Sequence, residues 1–331
     1  MRADQQVLEP TGWATAQRRR LPGVVVAGAT ALVSGVSVFV NSYGVHAVKQ
    51  PAVYTTAKNL VAAVLLLAGL ALVHLRSRRG DGARLDRSAA HGDVGILRHL
   101  GAARWVGIGY VGVVGGGAAF VLFFTGLART TAEPAAFLHD TLVVWVALLA
   151  LPFLRERLAP WNVAAIGLLV VGQVAVAGGV GHLVAGRGEV LVLAATLLWA
   201  VETVVAKRLV TDVPPALLGA ARMSIGVVVL VAYVALSGHW ATLVGLDAHQ
   251  LGWALLTGAL LALYVSTWML ALSRARALDV TSVLVASVVV TALLQAAAGK
   301  GGLGPEALGL ALVSAGTAAV VWSWPRRTVP A

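Results

Sequence analysis

The sequence predicts an all-α membrane protein: ten transmembrane helices in two inverted five-helix repeats, with both termini cytoplasmic. Three observations predict it. Of 331 residues 59% are hydrophobic and only 12% charged, about half the charge of a soluble domain. The charge sits in short clusters between apolar runs of ~20 residues, the length that crosses a hydrocarbon core. The basic clusters also alternate along the chain. Nineteen Lys and Arg residues fall in the chain ends and every second loop, against Lys49, Arg129, Arg187 and Lys300 in the others. By the positive-inside rule this fixes an even number of spans.

In chain order, the apolar segments run near 22–43, 52–75, 104–127, 132–154, 160–181, 188–207, 215–237, 250–273, 279–299 and 304–324. Arg18, Arg19 and Arg20 precede the first, as in a signal peptide. The run from Leu21 to about Val40 is too long for a signal h-region and lacks a small-x-small site, so it reads as a retained first helix. The loops are short apart from the polar stretch Arg76 to Arg104, whose Gly80-Asp81-Gly82 is a turn. A net charge of +11 invites a nucleic-acid reading, but the basic residues sit at span ends and not on one face, which excludes it. With no cysteine, neither disulfides nor thiolate metal sites are available. The third-span glycines Gly112, Gly115, Gly116 and Gly117 follow no strand, so they are helix-packing residues and not a nucleotide loop.

The two halves are similar to each other. Pro51 precedes Lys58 in the second span by the same seven residues that separate Pro215 from Arg222 in the seventh. Glu133 and Leu138 match Asp279 and Leu284, and the fifth and tenth spans open on Pro160 and Pro305. Five helices per half force the halves to cross the bilayer in opposite senses. Secondary transporters build alternating access on such inverted repeats, with the site near the midplane.

Several segments carry a family resemblance. They are Arg155-Glu156-Arg157-Leu158 before the fifth span, Gly188-Glu189-Val190 through Leu198-Trp199-Ala200, and Ala271-Leu272-Ser273-Arg274-Ala275-Arg276-Ala277. From about Leu21 to Trp324 the chain resembles the EamA family of the drug/metabolite transporter superfamily. The resemblance implies EamA-like repeats over 21–181 and 188–325, with 1–20 and 326–331 as tails, and it implies export. One departure stands out. The family's proline early in the fourth helix of each repeat is replaced by Leu138-His139-Asp140 and Leu284-Val285-Ala286.

Ionisable groups deep in a bilayer cost several kcal/mol, about 3 or more each, and face a cavity or a partner. Five qualify: Lys58, His139, Asp140, Glu202 and Arg222. Depth counting places Lys58 with Asp140 toward the outer side and Arg222 with Glu202 toward the inner side. The expected pairs are therefore Lys58–Asp140 and Arg222–Glu202, acting either as gates and proton sites or as static staples. Snorkelling to the headgroups is the alternative for both cations. His139 is expected neutral and bonded to a neighbouring helix, and without further ligands at helical spacing no metal site is expected. Trp145 and Trp199 lie mid-span, away from the interfacial belt. With Tyr264 and Trp268 they are candidates for a pocket wall, and Asn41 and Gln295 for its polar lining.

These readings converge on a secondary carrier in the cell inner membrane, working as a monomer or weak homodimer. Its expected partners are a small-molecule substrate and the lipid bilayer, with no nucleic acid and no cofactor. The substrate is a small metabolite, amino acid or drug-like compound, with Asp140 and Glu202 as the residues for ion coupling. An intramembrane enzyme and a non-transporting lipid- or partner-binding subunit are the alternatives.

Overall fold

The computed structural model describes residues 12–48, 50–78, 100–130, 135, 138–156, 160–176, 186–299 and 307–322. Every regular element among them is helical. The helices are α1 (Gly12–Ala47), α2 (Pro51–Arg78), α3 (Ala102–Leu127), α4 (Leu138–Leu154), α5 (Pro160–Val176), α6 (Arg187–Leu209), α7 (Pro215–Leu236), α8 (Ala248–Arg274), α9 (Ala277–Ala297) and α10 (Ala307–Trp322). A one-turn helix, Trp240–Val244, lies between α7 and α8. Seven of the ten are long and apolar enough to cross a membrane: α1, α2, α3, α6, α7, α8 and α9. The described apolar cores of α4, α5 and α10 are shorter. The protein is thus a multi-pass helical membrane protein. Glu133, Lys300 and most of the Arg76–Arg104 loop lie outside the described residues.

The helix starts follow local chemistry. Pro51, Pro160 and Pro215 each open a helix, where the missing N–H is no loss and φ is already helical. At α8 a capping box closes the end: the Asp247 side chain accepts from Gln250 N at 2.8 Å, and the Asp247 N–H donates to Gln250 Oε1 at 3.1 Å. α4 ends at Arg155, whose φ of 53° is a left-handed C-cap. Both fourth helices are interrupted, although neither carries the family's proline. In α4 the break is at Thr141, whose hydroxyl donates to Leu138 O at 2.6 Å. In α9 it is at Val285–Ala286, where Ala286 N bonds to Val283 O and Val288 N to Val285 O, the tighter three-residue spacing.

The two halves exchange helices across the core. α1 packs on α8 and α9, and α6 packs on α3 and α4. α2 packs on α8 as α7 packs on α3, while α2 with α7, α4 with α9 and α5 with α10 join like to like. Shifting every helix by five places leaves this packing scheme unchanged. The closest approaches repeat as well. A Cβ on Gly116 of α3 would overlap the Arg222 carbonyl of α7, and one on Gly258 of α8 would stand 2.7 Å from the Lys58 carbonyl of α2. Each intramembrane cation therefore starts from a backbone pressed against a glycine of the opposite half. Gly226 completes the α3–α7 crossing against Gly116, in keeping with the small-residue packing expected of this glycine run.

Candidate functional site

The site is organised by an irregularity in α3. Residues Val111–Ala118 form a π-helix, and at its end Ala119 N–H bonds to Val114 O. The carbonyl of Gly115, which a regular α-helix would give to Ala119, is thereby released. It accepts from Trp199 Nε1 at 3.0 Å and from Arg222 Nη2 at 3.2 Å. Gly115 also has no side chain for a second reason, since a Cβ there would overlap the Glu202 carboxylate.

Around this carbonyl lies the predicted Arg222–Glu202 pair. Arg222 Nε donates to Glu202 Oε1, and Nη2 donates to Oε2 at 3.1 Å. The two residues are 6% and 1% exposed. Snorkelling of Arg222 is overturned, because the guanidinium turns inward to a fork-to-fork carboxylate contact that satisfies both charges. It also lies 5.8 Å from the Phe120 ring and 5.6 Å from the Trp268 ring. Trp268 in turn stacks on Tyr264 at 6.4 Å.

The second expected pair is not formed. Lys58 Nζ donates to Asn41 Oδ1 at 3.0 Å, and no carboxylate lies within ion-pair distance among the described residues. The physical reason is packing: α2 lies against α7 and α8, while Asp140 is on α4, which lies against α6 and α9. Equal depth does not make two helices neighbours. Tyr54 Oη also lies 2.9 Å from Asn41 Oδ1 and 3.0 Å from Thr257 Oγ1, so Tyr54 is a junction between α1, α2 and α8. Asn41, expected as polar lining of a pocket, is seen here as a hydrogen-bond acceptor between α1 and α2 and is not among the residues lining the cavity between the start of α2 and the ends of α3 and α7.

The remaining candidates divide. Trp199 sits in an aromatic cluster with Phe120 at 5.2 Å, Phe123 at 5.5 Å and His139 at 5.0 Å. His139 is packed against rings, and its Nδ1 has no hydrogen-bond partner among the described residues. Trp145 stays on its own helix, donating to Thr141 Oγ1 at 3.1 Å. Asp140, half-buried on α4, carries no ion pair among the described residues. Gln295 is exposed near the end of α9, so it lines no interior pocket.

Sequence reasoning missed the phenylalanines that join the two cations. Lys58 Nζ lies 5.9 Å from the Phe124 ring, Phe124 stacks on Phe120 at 6.4 Å, and Phe120 meets Arg222. The spacing Phe120–Phe124 is one helical turn, a signal that was present in the sequence. The same pair floors a cavity of about 210 Å³ between the start of α2 and the ends of α3 and α7. Its walls include Thr55, Thr125, Arg129, Tyr233 and His239.

At the other end of the bundle, polar contacts tie the helices together. Glu156 accepts from Ala277 N at 2.9 Å and Leu278 N at 3.2 Å, capping α9 from the other half of the chain. Lys207 Nζ donates to the Leu272 and Ala275 carbonyls, both at 2.6 Å. Arg208 reaches Phe153 O, and Arg104 pairs with Asp212 at 2.8 Å. The cavity thus lies toward one end of the bundle, and these contacts join the helices at the basic end.

A multi-pass helical bundle with a buried ion pair and an aromatic cluster at its centre, and a cavity at one end, is the class that fold and site define. The EamA-like transporter family matches residues 21–178 and again residues 186–322. The chain belongs to that family, and carries its repeat twice. No curated protein matches the chain significantly. Among solved structures, a protein crystal structure superposes with a TM-score of 0.69 over 93% of this chain and 99% of the other, at 19% identity. At that identity the likeness concerns the fold.

Proposed function

We propose that this protein is a secondary carrier of ten spans, built from two inverted five-helix repeats with both termini cytoplasmic. It exports a small metabolite, amino acid or drug-like compound across the cell inner membrane by alternating access. The observation that carries the reading is the exchange of packing between halves. α1 on α8 and α9 mirrors α6 on α3 and α4, with each cation's carbonyl set on the other half's glycine. Such an arrangement has two near-equivalent closures, one at each end, which is what alternating access requires. The count of ten is supported by the three shorter apolar helices, which pack within the bundle, and by the alternation of basic residues along the chain.

On this reading the basic end is cytoplasmic, and the cavity floored by Phe120 and Phe124 opens outward. Glu202 is engaged by Arg222, and Asp140 is the carboxylate left available for proton exchange. The test uses proteoliposomes with an internal pH reporter, challenged with amino acids, organic anions and cationic drugs. The expected result is solute-dependent proton movement that Asp140→Asn abolishes. A folded protein that moves no member of a broad panel would overturn the carrier reading and favour a subunit or an enzyme.

A further inference from the structure

We propose that the acidic head of a small organic anion binds beneath the cavity, at Thr55 on its wall and at Lys58 and Asn59 about one turn deeper on the same helix. The inference rests on the carrier reading for its place in a transport cycle, and names the substrate class.

The argument begins with charge. The two intramembrane cations occupy matching positions in the two halves, yet their partners differ. Arg222 has a carboxylate, Glu202. Lys58, 9% exposed, has among the described residues only the neutral oxygen of Asn41 and the faces of Tyr54 and Phe124, at 5.4 and 5.9 Å. A buried ammonium carries three donors and a full charge, and one hydrogen bond to an amide leaves most of that capacity unused. An anion beside the ammonium completes it.

Unpartnered polar groups mark where that anion sits. Thr55 and Asn59 are both 0% exposed. Thr55 Oγ1 and both the Nδ2 and Oδ1 of Asn59 lack a hydrogen-bond partner among the described residues. Buried polar atoms are satisfied almost without exception, and three orphans within two turns of one helix ask for a ligand. Residues 55 and 59 are one turn apart on one face of α2, and Lys58 is three residues after Thr55. Thr55 itself lines the cavity. A hydroxyl, an amide N–H2 and an ammonium outnumber the one amide oxygen beside them, so donors exceed acceptors, the balance that favours a carboxylate or phosphate over a cation.

The rest of the floor sets the body of the ligand. Phe120 and Phe124 stack there, and the volume of about 210 Å³ admits a molecule of roughly one ring plus its acid group. The class is therefore a small organic anion with an apolar or aromatic body.

Binding is measured calorimetrically on the full chain in uncharged nanodiscs, with benzoate, phenyl phosphate, benzylamine and benzyl alcohol as probes. Benzoate or phenyl phosphate is expected to bind, and whichever binds tighter names the acid group. Lys58→Met should weaken binding by at least about tenfold, Thr55→Val by about threefold to tenfold, and Lys58→Arg by less than about threefold, as loss or retention of charge-assisted donors dictates. Thr55→Val keeps shape and charge and so decides the matter if Lys58→Met does not fold. Equal binding of benzylamine or benzyl alcohol, or benzoate binding unchanged in Thr55→Val and Lys58→Met, overturns the site. Binding with this mutational pattern but no flux in proteoliposomes keeps the site and removes the carrier reading. Flux confined to cations and unaffected by Lys58→Met does the reverse.

Discussion

Glu156 offers the most direct test of a two-ended mechanism. Its carboxylate accepts from two backbone N–H groups, Ala277 at 2.9 Å and Leu278 at 3.2 Å, in the first turn of α9. Those N–H groups have no acceptor within their own helix, and a carboxylate there also meets the positive end of the helix dipole. Hydrogen bonds to a charged group contribute roughly 1.5–3 kcal/mol each. Glu156→Gln keeps the shape, loses the charge and retains one acceptor oxygen. Closure of the basic end should therefore weaken by about 2 kcal/mol, a ~30-fold shift in a two-state equilibrium. Because the chain has no cysteine, a single introduced thiol reports without background. Thr281→Cys, at a position 3% exposed on α9, should react with an impermeant maleimide up to about 30-fold faster when Glu156→Gln is added. Thr125→Cys, on the cavity wall, should slow as the other closure becomes populated. Unchanged labelling at Thr281→Cys refutes the closure. Faster labelling at both positions together signals local unfolding rather than exchange between two closed ends.

Three further outcomes follow from the same geometry. Glu202→Gln strands a 6%-exposed guanidinium and should cost about 3–5 kcal/mol in detergent unfolding, while the double change Glu202→Gln with Arg222→Gln recovers most of it. Gly115→Ala should abolish substrate-dependent flux while the protein still elutes as a folded species, because the added methyl displaces the Glu202 carboxylate rather than a helix backbone. Gly226→Ala should instead lower the thermal midpoint sharply, because its methyl overlaps the Gly116 backbone and forces α3 from α7, at a cost of about 1–3 kcal/mol or more.

What was legible in the sequence follows from which forces act locally. The bilayer excludes charge from ~20-residue runs, so the positions of the helices could be read from residue type alone. α1 still extends four residues beyond the expected end, to Ala47, since Asn41, Ser42 and His46 satisfy their polar atoms inside the helix turn. Arg222–Glu202 was legible from opposite charges at equal depth, and it forms because α6 and α7 both pack on α3, where Gly115 leaves room for the two side chains to meet. Lys58–Asp140 met the same criterion and is absent, because neighbourhood is a property of the packing, which puts α2 on α7 and α8. Asn41 escaped weight because a search for charges undervalues a neutral acceptor. The π-helix was not legible, since Val111–Ala118 is held off the regular pattern by what Trp199 and Arg222 draw from Gly115.

The departure from symmetry says more about direction than the symmetry does. Asn41 lies six residues before the end of α1, and Glu202 seven before the end of α6. They hold matching places beside the two cations, one neutral and one charged. In a perfectly repeated chain the two closures would be equal in energy and the carrier indifferent to side. Replacing one carboxylate by an amide leaves the cation of the first half uncompensated on the side where the cavity lies. An anion that binds there stabilises this closure over its alternative only to the extent of its differential affinity. Restoring the symmetry by Asn41→Asp should fill the charge from within, weaken anion binding by about tenfold and bring the two closures nearer in population. Thiol labelling at Thr281→Cys and Thr125→Cys measures that population directly. An Asn41→Asp protein that binds benzoate as tightly as the parent would show that the charge imbalance at Lys58 has no part in recognition.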